Sequence, residues 1–295
     1  MAGSRFLKTF FLVLMVLIYL TLPVFAQEAP QASHFQQGIT LFYSKDWDNA
    51  ISEFNSALQE DPYNTLALTF MLDAYVKKDN LNFILNKLEQ QSISKPDDPL
   101  SQTYLGIAYF TQGLMRPNMA DEAVQQFKLA LKTDPQFAMA HTGMGMYYFQ
   151  KRMIPRAKGH FLKALQLNPK DMVAMELLGN ILLVDEKNPQ EALAVYNKEQ
   201  EITPQNYADV YYYIGSSLYD IGKFEDAIPA LQTCMKFDPN GILMGYQAPL
   251  LLGDLYMKMK KYKEAADAYK EALKINPQNP YAKYKLEKAL KPPKN

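Results

Sequence analysis

The sequence predicts an all-α fold, a solenoid of about seven helix–turn–helix units followed by a capping helix. Prolines recur at intervals of 34 to 39 residues, a period typical of stacked helical repeats. The prolines that close the units are Pro62, Pro96, Pro135, Pro169, Pro204, Pro239 and Pro277. Two apolar runs with helical spacing lie between one proline and the next, as expected for a pair of antiparallel helices. Each proline ends a second helix because it fixes φ and lacks an N–H donor.

The same kinds of side chain recur at fixed spacing inside each unit. The first helix carries glycine and then an aromatic residue, and the second carries alanine, an aromatic residue and another alanine. In the fourth unit these residues are Gly145, Tyr148, Ala157, Phe161 and Ala164. Small residues let the two helices approach closely, and the large ring fills the space toward the next helix. Because no unit can bury its apolar face alone, at least three must stack.

This spacing resembles the tetratricopeptide repeat, and the resemblance covers about residues 31–279. It implies a right-handed superhelix in which the first helices line a concave groove. The predicted segments are a signal peptide (1–26), a linker (27–30), seven repeats (31–64, 65–98, 99–137, 138–171, 172–207, 208–241 and 246–279) and a capping helix with a basic tail (280–295).

Three repeats depart from the pattern. The second has Leu72 where glycine is usual, and Ile84 and Gln91 where alanine is usual. The third has a longer loop between its helices, Gly113 to Asn118, and the fifth has an extra residue near Asn188-Pro189. Inserted loops in solenoids lie on one edge and often contact partners, but most are simply tolerated.

The N-terminus has the features of a cleaved signal peptide. Arg5 and Lys8 precede an apolar run from Phe10 to Leu22, and cleavage is expected after Ala26. The alternative is an uncleaved membrane anchor, since uncharged sequence extends over 19 residues, close to the length of a spanning helix. Both interpretations predict export, to the periplasm or outside the cell, or anchoring in the inner membrane facing the periplasm. The sequence has no Asn-x-Ser/Thr sequon, which favours a bacterial periplasm.

Composition and motifs predict no enzyme activity, cofactor or metal site. The net charge is zero, so nothing attracts the whole chain to nucleic acid. Cys234 is the only cysteine, and its place at a packing position predicts a buried, inert thiol. His34, His141 and His160 lack the paired spacing of metal ligands, and the first two are expected to fill core positions.

A set of first-helix residues is the candidate peptide-binding groove that the resemblance implies. The members are Leu100, Thr103, Ile107, Phe110, Met139, Thr142, Met146, Phe149, Glu176, Asn180, Tyr212, Ser216 and Tyr219. The set contains no Lys or Arg, so a clamp for a C-terminal carboxylate, as in chaperone-binding relatives, is not expected. One hypothesis is that apolar and aromatic anchors hold an extended or helical peptide. The other is that these residues pack on neighbouring first helices or on the chain's own N-terminal segment.

Charge is distributed unevenly along the chain. Residues 27–257 carry a net charge of −9, and residues 258–295 carry +7. The predicted basic patch consists of Lys151, Arg152, Arg156, Lys158, Lys258, Lys260, Lys261 and Lys263. It is interpreted either as a docking surface for an acidic partner or lipid, or as ordinary solvated lysines near helix C-termini. A further interpretation is head-to-tail self-association of the acidic and basic ends.

Together these features predict a non-catalytic, exported scaffold that binds protein or peptide segments and helps to assemble an envelope complex. The alternatives are an oligomerising structural protein and a membrane-anchored assembly factor. A membrane is expected as a partner only if the N-terminal segment is retained, and nucleic acid is not expected.

Overall fold

A computed structural model describes residues 32–116, 119–242 and 246–291. The regular structure of these residues is entirely helical, in fifteen α-helices. They are α1 (His34–Tyr43), α2 (Trp47–Glu60), α3 (Thr65–Lys77), α4 (Leu81–Ser94), α5 (Pro99–Gly113), α6 (Met119–Thr133), α7 (Ala138–Gln150), α8 (Ile154–Leu167), α9 (Met172–Asn180), α10 (Pro189–Ile202), α11 (Ala208–Ile221), α12 (Phe224–Phe237), α13 (Gln247–Lys258), α14 (Tyr262–Ile275) and α15 (Pro280–Leu290). No helix in these ranges combines the length and apolarity needed to cross a membrane. The predicted signal peptide or anchor, residues 1–26, lies outside the described residues.

The helices form seven consecutive pairs, α1–α2 to α13–α14, and α15 packs on α14. The prediction of an all-α solenoid is therefore confirmed. The first helix of each repeat is the odd-numbered helix of its pair. The prolines of the sequence pattern follow the second helices: Asp61, for example, ends α2 in extended backbone immediately before Pro62.

A glycine on the first helix and a ring on the second lock most pairs together. A Cβ built on Gly145 would lie 2.4 Å from Cε1 of Phe161, and one on Gly253 would lie 2.5 Å from Cε1 of Tyr269. Both rings are fully buried, so they have no room to move away. The recurring glycine of the sequence is therefore required by close helix contact.

Replacing Gly145 with alanine is expected to destabilise the protein by up to about 2 kcal/mol. Overpacking a buried site costs about 1–3 kcal/mol, which exceeds the gain of about 1 kcal/mol in helix propensity. Gly159 provides a matched control because it lies in the helix α8 of the same repeat with no atom within 4 Å of a built Cβ. Gly159→Ala should stabilise by about 0.5–1 kcal/mol. Urea unfolding followed by circular dichroism measures both, and equal signs would contradict the close-packing explanation.

The second repeat lacks this contact between a glycine and a ring. Leu72 and Ile84 are both buried, and α3 and α4 pack less closely than the helices of the other pairs. Besides the adjacent first helices α1 and α5, α3 also packs against α9 of the fifth repeat. The degenerate repeat thus changes how the array is stacked.

The extra residue of the fifth repeat is absorbed by a π-helical turn, Ile181–Asp185, that continues α9. The Glu186 N–H donates to the carbonyl of Ile181 at 3.0 Å, the i→i+5 bond of a π turn. This widened turn places Asp185 and Glu186 beside the fourth repeat, where they pair with two cations of that repeat.

The first and sixth repeats touch directly. The Tyr43 hydroxyl accepts a hydrogen bond from the N–H of Ala208 at 3.0 Å. The Asn206 side-chain amide donates to Thr40 Oγ1 at 2.8 Å, and the Asn240 amide donates to the carbonyl of Tyr43 at 3.3 Å. These contacts join residues 165 to 197 positions apart. Over residues 34–291, the array therefore closes on itself, and the first helices of repeats 2 to 6 meet inside it.

Candidate functional site

The predicted groove residues divide into two groups according to burial. Six are buried where first helices meet: Thr103, Ile107, Phe110, Met139, Thr142 and Met146. Seven are partly exposed: Leu100, Phe149, Glu176, Asn180, Tyr212, Ser216 and Tyr219. In this closed conformation the buried group contacts the protein itself. Phe110, Met146 and Glu176, however, border a cavity that remains open.

This axial cavity, of about 240 Å³, lies between α3, α5, α7, α9 and α11. Its apolar lining includes Leu66, Phe70, Phe110, Met146, Val173 and Tyr207. Leu114 also borders it and is 61% exposed, and Met115 beside it is 57% exposed. Both belong to the inserted loop of the third repeat. The axial cavity therefore has an apolar wall and a solvent-facing apolar rim.

Three carboxyl groups from three different repeats also line the axial cavity: Asp73 of α3, Glu176 of α9 and Asp209 of α11. Glu176 accepts hydrogen bonds from the hydroxyls of Tyr207 and, at 3.5 Å, Tyr213. Asp209 is 6% exposed, and its Oδ1 has no hydrogen-bond partner among the described residues. No Lys, Arg or His is among the described residues of the lining.

Burial is the main cause of raised pKa values in this acidic lining. It raises the pKa of Asp73, which the nearby ammonium of Lys77 partly offsets. Burial raises the pKa of Glu176 against the opposing effect of its tyrosine hydrogen bonds. The pKa of Asp209 lies well above its ordinary value because of burial and because of the charges of Glu176, Asp238 and Asp73. Each carboxyl thus lies in a site that disfavours its charge.

Glu199 of α10 lies behind this lining and is fully buried. Neither of its carboxyl oxygens has a hydrogen-bond partner in the described part of the chain. Burial, followed by the charges of Glu176 and Asp209, raises its pKa well above the ordinary value. Its position corresponds to Ala164 of the fourth repeat, which is the signal that could have identified it from the sequence. Asp73 was missed because the degenerate second repeat offered no groove positions.

Lowering the pH from about 8 to about 5 is expected to stabilise the protein. Raised pKa values mean that the folded state binds protons more tightly than the unfolded state, whose Asp and Glu titrate near 3.8 and 4.5. The stabilisation that comes from this difference is therefore fully present below the ordinary pKa values, and it is lost as the pH rises through the raised pKa values. The buried or half-buried carboxyls responsible are Asp73, Asp171, Glu176, Glu199 and Asp209.

Calorimetric melting of Glu199→Gln should isolate one of these contributions. Glutamine cannot ionise, so the variant is expected to be more stable than the wild type at about pH 8, where ionisation of a buried, unpartnered carboxyl is costly, and to flatten the pH dependence. Glu225, exposed at the start of α12, supplies the matched control Glu225→Gln, which should leave the slope unchanged. A wild-type melting temperature that falls on acidification to about pH 5 would refute this account.

Half of the mid-chain basic patch is paired with the next repeat. Arg152 Nη2 lies 2.6 Å from Asp185 Oδ1, and Lys158 Nζ lies 2.8 Å from Glu186 Oε1. Lys151 and Arg156 lie over tyrosine rings, 5.5 and 5.6 Å from their centroids. The C-terminal members are exposed and lie in or beside the turn after α13: Lys258, Lys260, Lys261 and Lys263.

The histidines and the cysteine are not arranged for chemistry. The His34 side chain is 42% exposed and its Nδ1 lies 2.7 Å from Glu53, so the expectation that it fills the core is wrong. His141 Nδ1 lies 3.2 Å from His160 Nδ1, and burial together with this neighbour lowers the pKa of His160. Cys234 is buried, as expected, and burial raises its pKa. Within the described ranges, no three His, Cys, Asp or Glu side chains are grouped to hold a metal ion.

Comparison with known proteins gives three matching tetratricopeptide repeat families, at residues 142–207, 208–240 and 250–279. Superkiller protein 3 of Schizosaccharomyces pombe is 22% identical over 260 residues, 84% of this chain and 18% of its own length. A TPR repeat-containing protein of Methanocaldococcus jannaschii is 22% identical over 250 residues, 81% of this chain and 41% of its own length. The chain thus spans less than half the length of these relatives.

Two solved structures share the fold. PilF of Pseudomonas aeruginosa aligns with a TM-score of 0.57 and 19% identity, over 75% of this chain and 96% of the other. YrrB, described as a TPR protein with an unusual peptide-binding site, aligns with a TM-score of 0.52 and 21% identity, over 67% of this chain and 96% of the other. At these identities the similarity concerns the helical architecture alone.

Proposed function

This chain belongs to the tetratricopeptide repeat family, and from that premise we propose that it is an exported, non-catalytic scaffold that binds a protein or peptide segment at the axial cavity. Members of the family generally act as protein-interaction scaffolds, and typically they are not enzymes. The finer parts of the proposal are the site, the export and the role in assembling an envelope complex.

The observation that supports the site is the axial cavity itself. It collects residues from the first helices of repeats 2 to 6, the surface that solenoid proteins use for binding. Its rim carries the exposed apolar side chain of Leu114, which costs free energy while it faces water. A segment laid over the rim would bury this side chain. The peptide-binding site reported for YrrB, a protein of similar architecture, is consistent with such a use.

Export is supported by the N-terminal sequence. A basic start, an apolar run and small residues before Gln27 are the features that a signal peptidase recognises. The role in an envelope complex follows from export combined with the binding of protein segments. An uncleaved N-terminal segment would instead make the protein a membrane-anchored assembly factor of the same kind.

Site-specific photo-crosslinking in cells tests the binding site. A photo-reactive residue at Leu114 should give a defined protein adduct, whereas one at Leu162, which is 50% exposed on α8, should not. Thr69 borders the cavity and is partly exposed, so Thr69→Trp should fill the cavity and abolish the adduct. Thr133, exposed on α6, provides the control Thr133→Trp, which should leave the adduct intact.

The other outcomes assign the function elsewhere. An adduct that survives Thr69→Trp would mean that the partner does not use the axial cavity. Adducts obtained only from a probe at Lys261 would transfer binding to the basic C-terminal end. An adduct between two copies of the chain would favour the oligomerising structural protein.

A further inference from the structure

We propose that the axial cavity receives a basic side chain, lysine or arginine, of the bound segment. This inference rests on the proposed function and adds the chemistry of the ligand to it. In a carboxylate clamp the protein supplies cations that bind a carboxylate of the partner. Here the protein supplies the carboxyl groups and the partner supplies the cation.

The described residues of the cavity lining include three carboxyl groups and no Lys, Arg or His. Asp73, Glu176 and Asp209 come from repeats 2, 5 and 6 and converge on one space. A buried carboxylate is costly unless a cation or several hydrogen-bond donors face it. Asp209 has neither: it is 6% exposed, its Oδ1 is unpartnered among the described residues, and it borders the cavity. A cationic group that enters the cavity from outside would supply this missing partner.

The walls suit the remainder of a basic side chain. Lysine and arginine bury their alkyl stems against apolar surface and keep the charged head in a polar place. Phe70, Phe110 and Met146 provide apolar wall, and an aromatic ring face also attracts a cation. The volume of about 240 Å³ is much larger than the ~30 Å³ share of one water molecule. The space is therefore large enough for a long side chain.

The surrounding charges also favour a cation. Glu199 of α10 lies behind Glu176 and Asp209 and adds to the negative potential there. Asp238, the residue that follows α12, contributes to the negative potential at Asp209. Lys77 is exposed on α3, outside the lining. Its positive charge acts on Asp73. An entering ammonium or guanidinium would favour ionisation of the carboxyls that burial now disfavours. Affinity for a basic segment should consequently fall as the pH is lowered.

Selection from a random heptapeptide display library against the full-length protein tests the inference. The selected peptides should share a lysine or arginine at one position. Where the shared residue is an arginine, it is first replaced with lysine. Replacing the lysine with norleucine or N-acetyllysine removes the charge and keeps the alkyl stem, so binding should weaken at least ~10-fold. Asp209→Asn and Glu176→Gln should remove this preference. Asp220→Asn, exposed on the same helix as Asp209, should not.

Each other outcome has a distinct meaning. Selected peptides that lack a basic residue but bind the cavity would overturn the inference and leave the proposed function standing. Failure to select any peptide would count against peptide binding itself. Basic peptides whose affinity survives both Asp209→Asn and Glu176→Gln would bind elsewhere, which also overturns the inference. Melting curves of the variants verify folding, and Asp73→Asn at the partly exposed mouth is the variant to use if either of the others unfolds.

Discussion

Replacing Phe70 with alanine is expected to lower the free energy of unfolding by about 3–5 kcal/mol and to separate the first repeat from the sixth. The Phe70 ring is 5% exposed. Its centroid lies 4.9 Å from that of Phe42, 5.5 Å from that of Phe54 and 6.0 Å from that of Tyr207. Phe42 and Phe54 belong to repeat 1, whereas Tyr207 immediately precedes the sixth repeat. Phe70 therefore joins two parts of the array that are distant in sequence, and truncating it removes packing from both.

Phe161→Ala is the matched control for this prediction. Phe161 is fully buried in the fourth repeat and should cost a similar free energy without affecting contact between the ends. Spin labels at Ser52 and Gln232, both exposed, with Cys234 replaced by alanine in every sample, report the distance between repeats 1 and 6. That distance should lengthen in Phe70→Ala alone. An unchanged distance would mean that the hydrogen bonds of Tyr43 and Asn206 suffice to hold the closure.

The closure determines how much of the predicted groove a partner can reach. Thr103, Ile107 and Met139 have almost no exposed surface in the closed array, so a ligand would contact them only if repeats 1 and 6 separated. The axial cavity needs no such change because its rim already faces solvent. A partner that bound only an open form would have to offset the free energy of the lost Phe70 and Tyr43 contacts. Binding at the axial cavity carries no such cost.

The fold could be predicted from the sequence because its determinants are local and repeated. Gly145 and Phe161 lie 16 positions apart and meet within one repeat, and the same pair recurs at Gly253 and Tyr269. The turn after each second helix is likewise set by neighbouring residues, as with Asp61 and Pro62. Six of the seven repeats carry the glycine of this pattern, which leaves little ambiguity about the helices or their pairing.

The candidate site could be predicted only in part because it depends on how successive repeats stack on one another. Asp73 and Asp209 line the same cavity although they lie 136 positions apart, and no single repeat encodes that proximity. The stacking of successive repeats decides it, and the second repeat, with Leu72 and Ile84 buried at its pattern positions, packs in a way that the pattern does not express. Glu199 is different, since a carboxyl group at the position of a buried alanine is visible in the aligned repeats.

Asp171→Ala is expected to destabilise the protein by about 2–4 kcal/mol, because one carboxylate serves three repeats. It caps α9 by accepting the N–H of Ala174 at 3.1 Å. It also accepts from the hydroxyl of Thr142 in repeat 4 at 2.6 Å and from that of Thr65 in repeat 2 at 3.5 Å. Loss of a cap costs about 0.5–2 kcal/mol, and a hydrogen bond to a charged group contributes about 1.5–3 kcal/mol.

Two further variants separate the cap from the connection between repeats. Asp171→Asn keeps an oxygen for the cap and should cost less than half as much as alanine. Asp46 caps α2 through an exposed bond to the N–H of Asn49, so Asp46→Ala should cost only about 0.5–1 kcal/mol. Urea unfolding provides all three values. If Asp171→Ala cost no more than Asp46→Ala, the bonds to Thr142 and Thr65 would contribute nothing, and the closed array would depend on its apolar contacts alone.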